Sequence, residues 1–341
     1  MTVQSNRRIV LAERPSGELG LRHFRSVTTE VPPLAPDQVL VRVIFTQVAP
    51  AARAAMTITT PFPPTRPGDG ILTAVVGEVV DGPVNGPAPG TFVTCYAGWE
   101  EYSAVPFSQV RSVRTGGPLI HHLGLLGHNG LAAYFGMMRI GRVQAGETVV
   151  VSAAAGGVGH LAGQLAKIAG ARVIGIAGSD EKNRTLEQQL GFSATVNRRS
   201  ATFLGDLRAA CGDGVDVFFD NVGGSVLDSM LPLMAAHGRV VCCGAVAGYD
   251  GDQDAVTAPG PQGVPQLVIN KTLRIEGLLT GDFAAEWNEA LDQLAEWAKD
   301  GRLKPITKVW DGLDTAPAAL VAMLAGENLG QVVVRVAPDP T

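Results

Sequence analysis

A chain of 341 residues is longer than one typical domain and is suited to two. Its composition, with 46% hydrophobic residues and 42 glycines, is typical of an α/β enzyme rich in tight turns. A net charge of −5 excludes the strongly basic surface of a nucleic-acid-binding protein, and no apolar run is long enough to cross a bilayer. We therefore expect neither nucleic acid nor a membrane as a partner.

The cysteines show none of the spacings that hold zinc or form a redox pair. They are Cys95, Cys211, Cys242 and Cys243. Together with an amino terminus that lacks a signal-peptide core, they predict reduced thiols in a cytoplasmic protein. No metal site is predicted, because the adjacent His121 and His122 cannot easily share one ion and lack an acidic partner.

The first part of the chain consists of short apolar runs separated by proline and glycine, as in a compact barrel-like β domain. The predicted strands cover residues 8–12, 39–45, 72–80 and parts of 91–105.

Strands and helices then alternate, which is the order of a doubly wound parallel sheet. The later predicted strands are residues 172–177, 194–197, 215–219, 239–245 and 273–279, and the predicted helices include 225–236 and 284–299. A final strand, residues 331–336, is expected to rejoin the β-rich domain. We therefore predict two domains, residues 1–124 with 301–341 and residues 125–300.

The stretch from Thr148 to Gly159, TVVVSAAAGGVG, is a strand followed by a turn of small residues, and a helical pattern follows it to Gly170. With the next strand, this is the opening βαβ unit of a dinucleotide-binding fold, although Ala154 replaces the first glycine of G-x-G-x-x-G. Bare backbone lets a pyrophosphate approach the helix N-terminus. Gly156, Gly157, Val158 and Gly159 are therefore predicted cofactor-binding residues, with Ala154.

NADPH is the predicted cofactor. An NAD site places Asp or Glu at the end of the second strand, but this sequence has Ala177, Gly178 and Ser179 there. Lys182 and Arg184 follow, and Arg198 and Arg199 come after the next predicted strand. Cations near a bare turn favour a ribose 2′-phosphate. The alternative is that these cations belong to an ordinary solvated surface.

Several long motifs resemble the zinc-independent medium-chain dehydrogenase/reductases, and most of all their leukotriene B4 12-hydroxydehydrogenase, prostaglandin reductase and alkenal double-bond reductase group. They are ETVVVSAAAGGVG at 147–159, GIAGSDEK at 175–182, DNVGG at 220–224, CGAVAGY at 243–249 and GENLGQVVVRV at 326–336. The resemblance covers nearly the whole chain. It implies a GroES-like β-rich catalytic domain, a Rossmann domain with a doubly wound parallel sheet, and a homodimer joined edge to edge through the Rossmann sheets.

The same resemblance implies further cofactor contacts. They are Gly178, Ser179, Lys182, Arg198, Asn221, Cys243, Gly244, Ala245 and Asn328. Zinc-dependent relatives have an early Cys ligand and a Gly-His-Glu, whereas this sequence reads VAPAARAAM at 48–56 and PGDG at 67–70. Zinc-free chemistry is therefore expected.

The sequence departs from the family at the substrate cleft. The LDPYMR stretch of the family is Val48-Ala49-Pro50-Ala51-Ala52-Arg53 here, so only Arg53 keeps a polar side chain for the substrate pocket. The GMPGLTAY stretch reads GHNGLAAY, which introduces His128 and Asn129. Asn129 is predicted either to bind a polar group of the substrate or to cap the following helix.

The candidate catalytic residues are Tyr249, which also belongs to the substrate pocket, and His128. The alternatives are a tyrosine that packs on the cofactor domain and a histidine that fills space. His160 is expected to lie near the pyrophosphate without a catalytic role. Cys242 and Cys243 are expected to lie in a buried strand and to have a packing role.

The resemblance implies NADPH-dependent reduction of a C=C bond conjugated to a carbonyl, with hydride added to the β-carbon and a proton to the α-carbon. The alternatives are a zinc-free carbonyl reductase or alcohol dehydrogenase, a biosynthetic cyclase or isomerase that retains the NADPH site, and a cofactor-binding protein without catalysis.

Overall fold

The computed structural model describes residues 5–57, 63–113, 117–249 and 263–340. The strands before residue 148, where the parallel sheet begins, are β1 (Ser5–Leu11), β2 (Phe24–Glu30), β3 (Gln38–Val48), β4 (Thr73–Asp81), β5 (Phe92–Ala97), β6 (Trp99–Glu100), β7 (Tyr102–Pro106) and β8 (Arg111–Ser112). The helices there are α1 (Pro50–Thr57) and α2 (His128–Phe135), which continues into a π-helix, Gly136–Gly141.

Later strands are β9 (Thr148–Val151), β10 (Arg172–Ala177), β11 (Ala194–Asn197), β12 (Val215–Asp220), β13 (Met234–Cys242), β14 (Arg274–Gly277), β15 (Thr307–Asp311) and β16 (Gln331–Arg335). The helices are α3 (Gly159–Ile168), α4 (Asp180–Gln188), α5 (Phe203–Cys211), α6 (Gly224–Met230), α7 (Val264–Lys271), α8 (Trp287–Lys299) and α9 (Ala316–Leu324). Within the described ranges, no helix is long and apolar enough to traverse a bilayer.

A six-stranded parallel sheet has the order β11-β10-β9-β12-β13-β14. Numbered from its own first strand, this is 3-2-1-4-5-6, the order of a dinucleotide-binding sheet. Val149 and Val151 pack in the apolar cluster with α2, α3 and α8, while Val150 packs on the opposite face with α5 and α6. Both faces are covered, which explains the unbroken apolar run of β9.

The β-rich part contains two sheets. The smaller has the order β2-β1-β6, and the larger has the order β15-β16-β3-β4-β5-β8 with β7 also paired to β3. β16 runs antiparallel to β3, as the sequence predicted for the last strand, and β15 runs parallel to β16. The chain thus returns to its first sheet only after it has completed the parallel sheet.

The prediction of one helix over residues 225–236 is wrong. Helix α6 ends at Met230, a short 3-10 helix covers Leu231–Leu233, and strand β13 begins at Met234. Pro232 lacks a backbone N–H and disrupts helical pairing at this point. The predicted strand 239–245 ends three residues early, because the N–H groups of Cys243 and Gly244 both donate to the Asp220 carbonyl.

Helix α3 packs closely because of a glycine in its middle. A Cβ added to Gly163 would lie 2.0 Å from the Cζ atom of Phe192, whereas a Cβ on Gly205, at an exposed position of helix α5, would meet nothing within 4 Å. Gly163→Ala is therefore expected to lower the free energy of unfolding by about 1–3 kcal/mol through overpacking.

Gly205→Ala serves as the matched control. It removes backbone freedom from the unfolded chain without a clash and is expected to raise stability by about 0.4–1 kcal/mol. Chemical denaturation of both variants measures the difference. Equal effects in the two variants would show that the Phe192 contact does not constrain α3.

Candidate active site and cofactor crevice

The crevice lies at the carboxyl ends of β9 and β12, where the strand order of the parallel sheet reverses and ligands bind in such sheets. The buried Asp220 carboxylate accepts hydrogen bonds from Ser152 Oγ at 2.7 Å and from the Val222 and Gly223 N–H groups at 2.9 and 3.0 Å. This network fixes the turn after β12, and the turn presents the next residues to the crevice.

Asn221 joins the two strand ends. Its N–H donates to Ser152 Oγ at 2.8 Å, and its side-chain Nδ2 donates to the Ser152 carbonyl at 2.7 Å. Because the Asp220 carbonyl binds the N–H groups of Cys243 and Gly244, those residues and Ala245 lie at the same rim. The structure thus brings together four residues that were predicted to bind the cofactor: Asn221, Cys243, Gly244 and Ala245. The hydrogen bond to the Ser152 carbonyl holds the side chain of Asn221 in place.

The Cys243 thiol is not a nucleophile in this rim. Burial, with the Asp220 and Cys242 charges as smaller causes, raises the pKa of Cys243 to about 12. The thiol therefore stays protonated at neutral pH. The side chains of Cys242 and Cys243 are partly buried, and the second lies beyond the end of β13.

The glycine turn has no room for side chains. A Cβ on Gly159 would lie 2.3 Å from the Ala153 carbonyl oxygen, and one on Gly156 would lie 3.1 Å from it. A Cβ on Gly157 would lie 2.8 Å from Asn129 Nδ2. The turn leads directly into α3, whose first N–H groups and helix dipole favour an anion.

The carboxy-terminal segment lies against this turn. Gly330 forms a parallel bridge with Gly156, and its N–H donates to the Ala155 carbonyl at 2.7 Å. The side chain of Asn328 donates to the Gly330 carbonyl at 3.1 Å. A residue near the end of the chain is thereby held beside the cofactor turn.

A group of cations surrounds Gly178, and we call Lys182, Arg198 and Arg199 the cationic corner. A Cβ on Gly178 would be 3.7 Å from the Nε atoms of both arginines, and Ser179 caps α4 by accepting from the Lys182 N–H at 3.3 Å. Burial, followed by the charges of Arg199 and Arg198, lowers the pKa of Lys182. The like charges show a local excess of positive charge. The sequence pointed to Arg199 as one of the cations that favour NADPH, although only Lys182 and Arg198 were predicted to contact the cofactor.

His160 has a structural role. Its buried ring pairs Nδ1 with the Gly156 carbonyl at 2.7 Å and Nε2 with the Ile306 N–H at 3.0 Å. The carbonyl accepts from Nδ1 and the Ile306 N–H donates to Nε2, so these two partners fix one neutral tautomer, with the proton on Nδ1. Burial lowers the pKa of His160 to about 4, with the Gly156 hydrogen bond acting against that shift. The ring links the glycine turn to the segment before β15.

Tyr249 lies in the loop that follows the crevice rim. Its carbonyl accepts from Thr57 Oγ1 of α1 at 3.0 Å, so the loop is joined to the β-rich part of the chain. Its hydroxyl lies 3.5 Å from the Ala245 N–H. Burial raises the pKa of Tyr249, so the hydroxyl remains protonated at neutral pH.

His128 and Asn129 form the first turn of α2. His128 is exposed, with Nδ1 at 3.4 Å from Thr280 Oγ1, yet the surrounding protein lowers its pKa by desolvation. The prediction that Asn129 caps this helix is wrong. Gly127 occupies the N-cap position and no side chain caps the helix, whereas Asn129 is the second residue of the helix and is only 8% exposed.

Arg53 is fully buried in α1, and its guanidinium donates to the Gly17 carbonyl at 2.6 Å. Its role in the substrate pocket stays a prediction. Among residues 5–57, 63–113, 117–249 and 263–340, no three His, Cys, Asp or Glu side chains cluster as a metal site. The donor set of these residues does not fit zinc, and we derive no step through a metal.

NADPH suits the residues that are present. The bare turn before α3 leaves space for a diphosphate, and the cationic corner at Gly178 supplies charge for a 2′-phosphate. No carboxylate stands at the end of β10 to bind a ribose 2′-hydroxyl.

Comparison with known proteins agrees with this geometry. Residues 157–296 match the family described as zinc-binding dehydrogenase, and residues 7–113 match the N-terminal domain of oxidoreductase. The chain is 33% identical to NADPH-dependent curcumin reductase of Escherichia coli, with 98% of each chain covered. It is 37% identical to mouse prostaglandin reductase 1, with 92% of this chain and 94% of the relative covered.

A solved structure is similar along its length. The crystal structure of CurA from Vibrio vulnificus in complex with NADPH superposes with a TM-score of 0.91 at 29% identity, covering 97% of this chain and 99% of that one. The fold is thus a GroES-like β-rich part with a Rossmann sheet. The chain belongs to the medium-chain dehydrogenase/reductases, in the zinc-independent group that contains the prostaglandin and curcumin reductases.

Proposed function

We propose that this protein catalyses the NADPH-dependent reduction of a C=C bond conjugated to a carbonyl group. The observation that carries the proposal is a dinucleotide crevice whose cationic corner suits a 2′-phosphate, beside a loop that offers the protonated hydroxyl of Tyr249. The similar curcumin reductase and prostaglandin reductase 1 are reductases by name, and curcumin is a conjugated enone.

NADPH supplies a hydride when it is bound. The chain positions it through the glycine turn and through the rim residues Asn221, Cys243, Gly244 and Ala245. Because the pKa of Tyr249 is raised, its hydroxyl can donate to the substrate oxygen as negative charge develops there. Hydrogen bonds are sufficient to stabilise the enolate that hydride addition to the β-carbon would form, and one proton at the α-carbon would then give the saturated carbonyl product.

The proton that reaches the α-carbon is assigned to Tyr249 or His128. Because desolvation lowers the pKa of His128, its ring is neutral at pH 7 and keeps one N–H donor. The contact with Thr280 orients that ring at the start of α2. We place both residues at the substrate, with Arg53 behind the wall of the pocket and Asn328 at the nicotinamide half.

The proposed domains are residues 1–124 with 301–341 for the substrate and residues 125–300 for NADPH. The pairing of β16 with β3 supports this division. A homodimer is proposed through β14, the edge strand of the parallel sheet, where Ile269, Ile275 and Leu279 are exposed apolar side chains. A cytoplasmic location is proposed because all four cysteines are free thiols.

The reaction is tested first with the purified protein and a panel of enals, enones and simple ketones. We expect NADPH consumption with the conjugated substrates and saturated carbonyl products, since the hydride adds to the β-carbon. Product analysis separates this from a carbonyl reductase, which would give allylic alcohols. Tight NADPH binding without turnover of any enal or enone would contradict the proposal.

Lys182→Ala is expected to weaken NADPH binding by about tenfold or more, because it removes a partly buried charge from the 2′-phosphate. The affinity for NADH, which lacks that phosphate, should change less than about twofold. Arg184→Ala, an exposed substitution on the same helix, is the control and should leave both affinities unchanged. Equal losses for the two nucleotides would contradict a phosphate role.

Tyr249→Phe is expected to lower kcat by about 10²-fold or more, the usual contribution of a positioned proton donor. The Kd of NADPH should be the same in Tyr249→Phe as in the parent protein. The control, Tyr102→Phe on β7, should keep the kcat of the parent protein. Steady-state kinetics and cofactor titration provide both values. Full kcat in Tyr249→Phe combined with a loss in His128→Gln would assign the proton to His128 instead.

A further inference from the structure

Two buried amides connect the β-rich part of the chain to the glycine turn. Gln47, on β3, is 6% exposed, and Asn129, on α2, is 8% exposed. Gln47 Nε2 donates to Asn129 Oδ1 at 3.2 Å. Asn129 Nδ2 would lie 2.8 Å from a Cβ on Gly157 of the glycine turn. A hydrogen bond thus joins two side-chain amides that are 82 positions apart in the chain, and we call Gln47 and Asn129 the amide pair.

A backbone carbonyl determines the orientation of the amide pair. Gln47 Nε2 also donates to the Leu123 carbonyl at 3.2 Å, and a carbonyl can only accept. The NH₂ end of Gln47 must therefore face Leu123 and Asn129, so Asn129 presents its oxygen to Gln47. The NH₂ group of Asn129 is left on the side of Gly157.

This NH₂ group has no acceptor in the protein. Across residues 5–57, 63–113, 117–249 and 263–340, no atom accepts a hydrogen bond from Asn129 Nδ2. The Nδ2 atom is not among the fully buried polar atoms without a partner, so it stays accessible from the crevice, where a ligand or water can supply its acceptor. We propose that Asn129 donates a hydrogen bond to the diphosphate of NADPH and that Gln47 is the positioning residue that aims it.

The location favours the diphosphate over other parts of the cofactor. Gly157 stands two residues before α3 begins, where the helix dipole and free N–H groups attract an anion. Backbone donors supply most of such a site, and a side-chain amide adds a directed donor from a different part of the chain. This role differs from the substrate contact that the sequence predicted for Asn129, and it depends on NADPH but not on the identity of the substrate.

Asn129→Asp is the isosteric test. One carboxylate oxygen still accepts from Gln47, while the other replaces the donor with a negative charge beside Gly157. We expect the Kd of NADPH and of 2′-phospho-ADP-ribose, which keeps the diphosphate without nicotinamide, to rise about tenfold or more. For adenosine 2′-monophosphate, which lacks the diphosphate, the Kd of the variant should lie within about twofold of the Kd of the parent protein.

Gln47→Glu tests the positioning role without touching the cofactor site. The carboxyl group offers Asn129 an acceptor in place of a donor, so the Asn129 amide turns and its oxygen faces Gly157. The same pattern of affinities is expected, with a smaller rise of about three- to tenfold. A structural role alone would lower the melting temperature without separating the three ligands.

Asn270→Asp, an exposed substitution on α7 that adds the same charge, is the control for long-range repulsion and should leave all three affinities unchanged. Titration calorimetry and thermal melting of each variant complete the experiment. A loss for NADPH alone would place the donor at the nicotinamide half, and equal losses for all three ligands would indicate general damage. Either result, or no loss, would overturn the proposal.

Discussion

The hydrogen bond from the Gly330 N–H to the Ala155 carbonyl joins the last strand of the β-rich part to the first turn of the parallel sheet. It is a contact between backbones, so no side chain can stand between the two segments. The ring of His160 strengthens the same junction, because it connects Gly156 to Ile306 and Ile306 in turn accepts from the Gln331 N–H. The glycine turn, which we propose as the diphosphate site, is therefore also where the last part of the chain contacts the parallel sheet.

The cationic corner depends on the same junction. Lys182 donates to the Gly326 carbonyl at 2.7 Å, and Arg199 donates to the Ala325 carbonyl at 2.9 Å. Carbonyl groups orient these cations but do not neutralise them. The pKa of Lys182 is lowered first by burial and then by repulsion from Arg199 and Arg198. An anion such as a 2′-phosphate would relieve that repulsion, and the neighbouring segment contains Asn328, whose side chain donates to the Gly330 carbonyl.

Buried polar groups at the crevice are arranged so that each fixes the next. Asp220 holds the backbone after β12, Asn221 spans to Ser152, and Gln47 directs Asn129. In a low-dielectric interior such networks specify one geometry, because each alternative leaves a donor or acceptor without a partner. The side chain of His128, which lies outside these networks, can therefore differ from the family pattern while the crevice keeps its shape.

The local features could be predicted from the sequence: strand β9, the bare turn before α3, the absence of a carboxylate after β10, and the alternation of strands and helices that is typical of a parallel sheet. These follow from short-range rules of periodicity, glycine placement and strand–helix alternation. Only the tertiary structure decided that Asn129 lies inside α2 beside Gly157, that Arg53 is fully buried, and that His160 binds Ile306. Those outcomes depend on contacts between residues far apart in the chain. No spacing in the sequence encodes them, because packing and the pairing of buried polar groups select the partners.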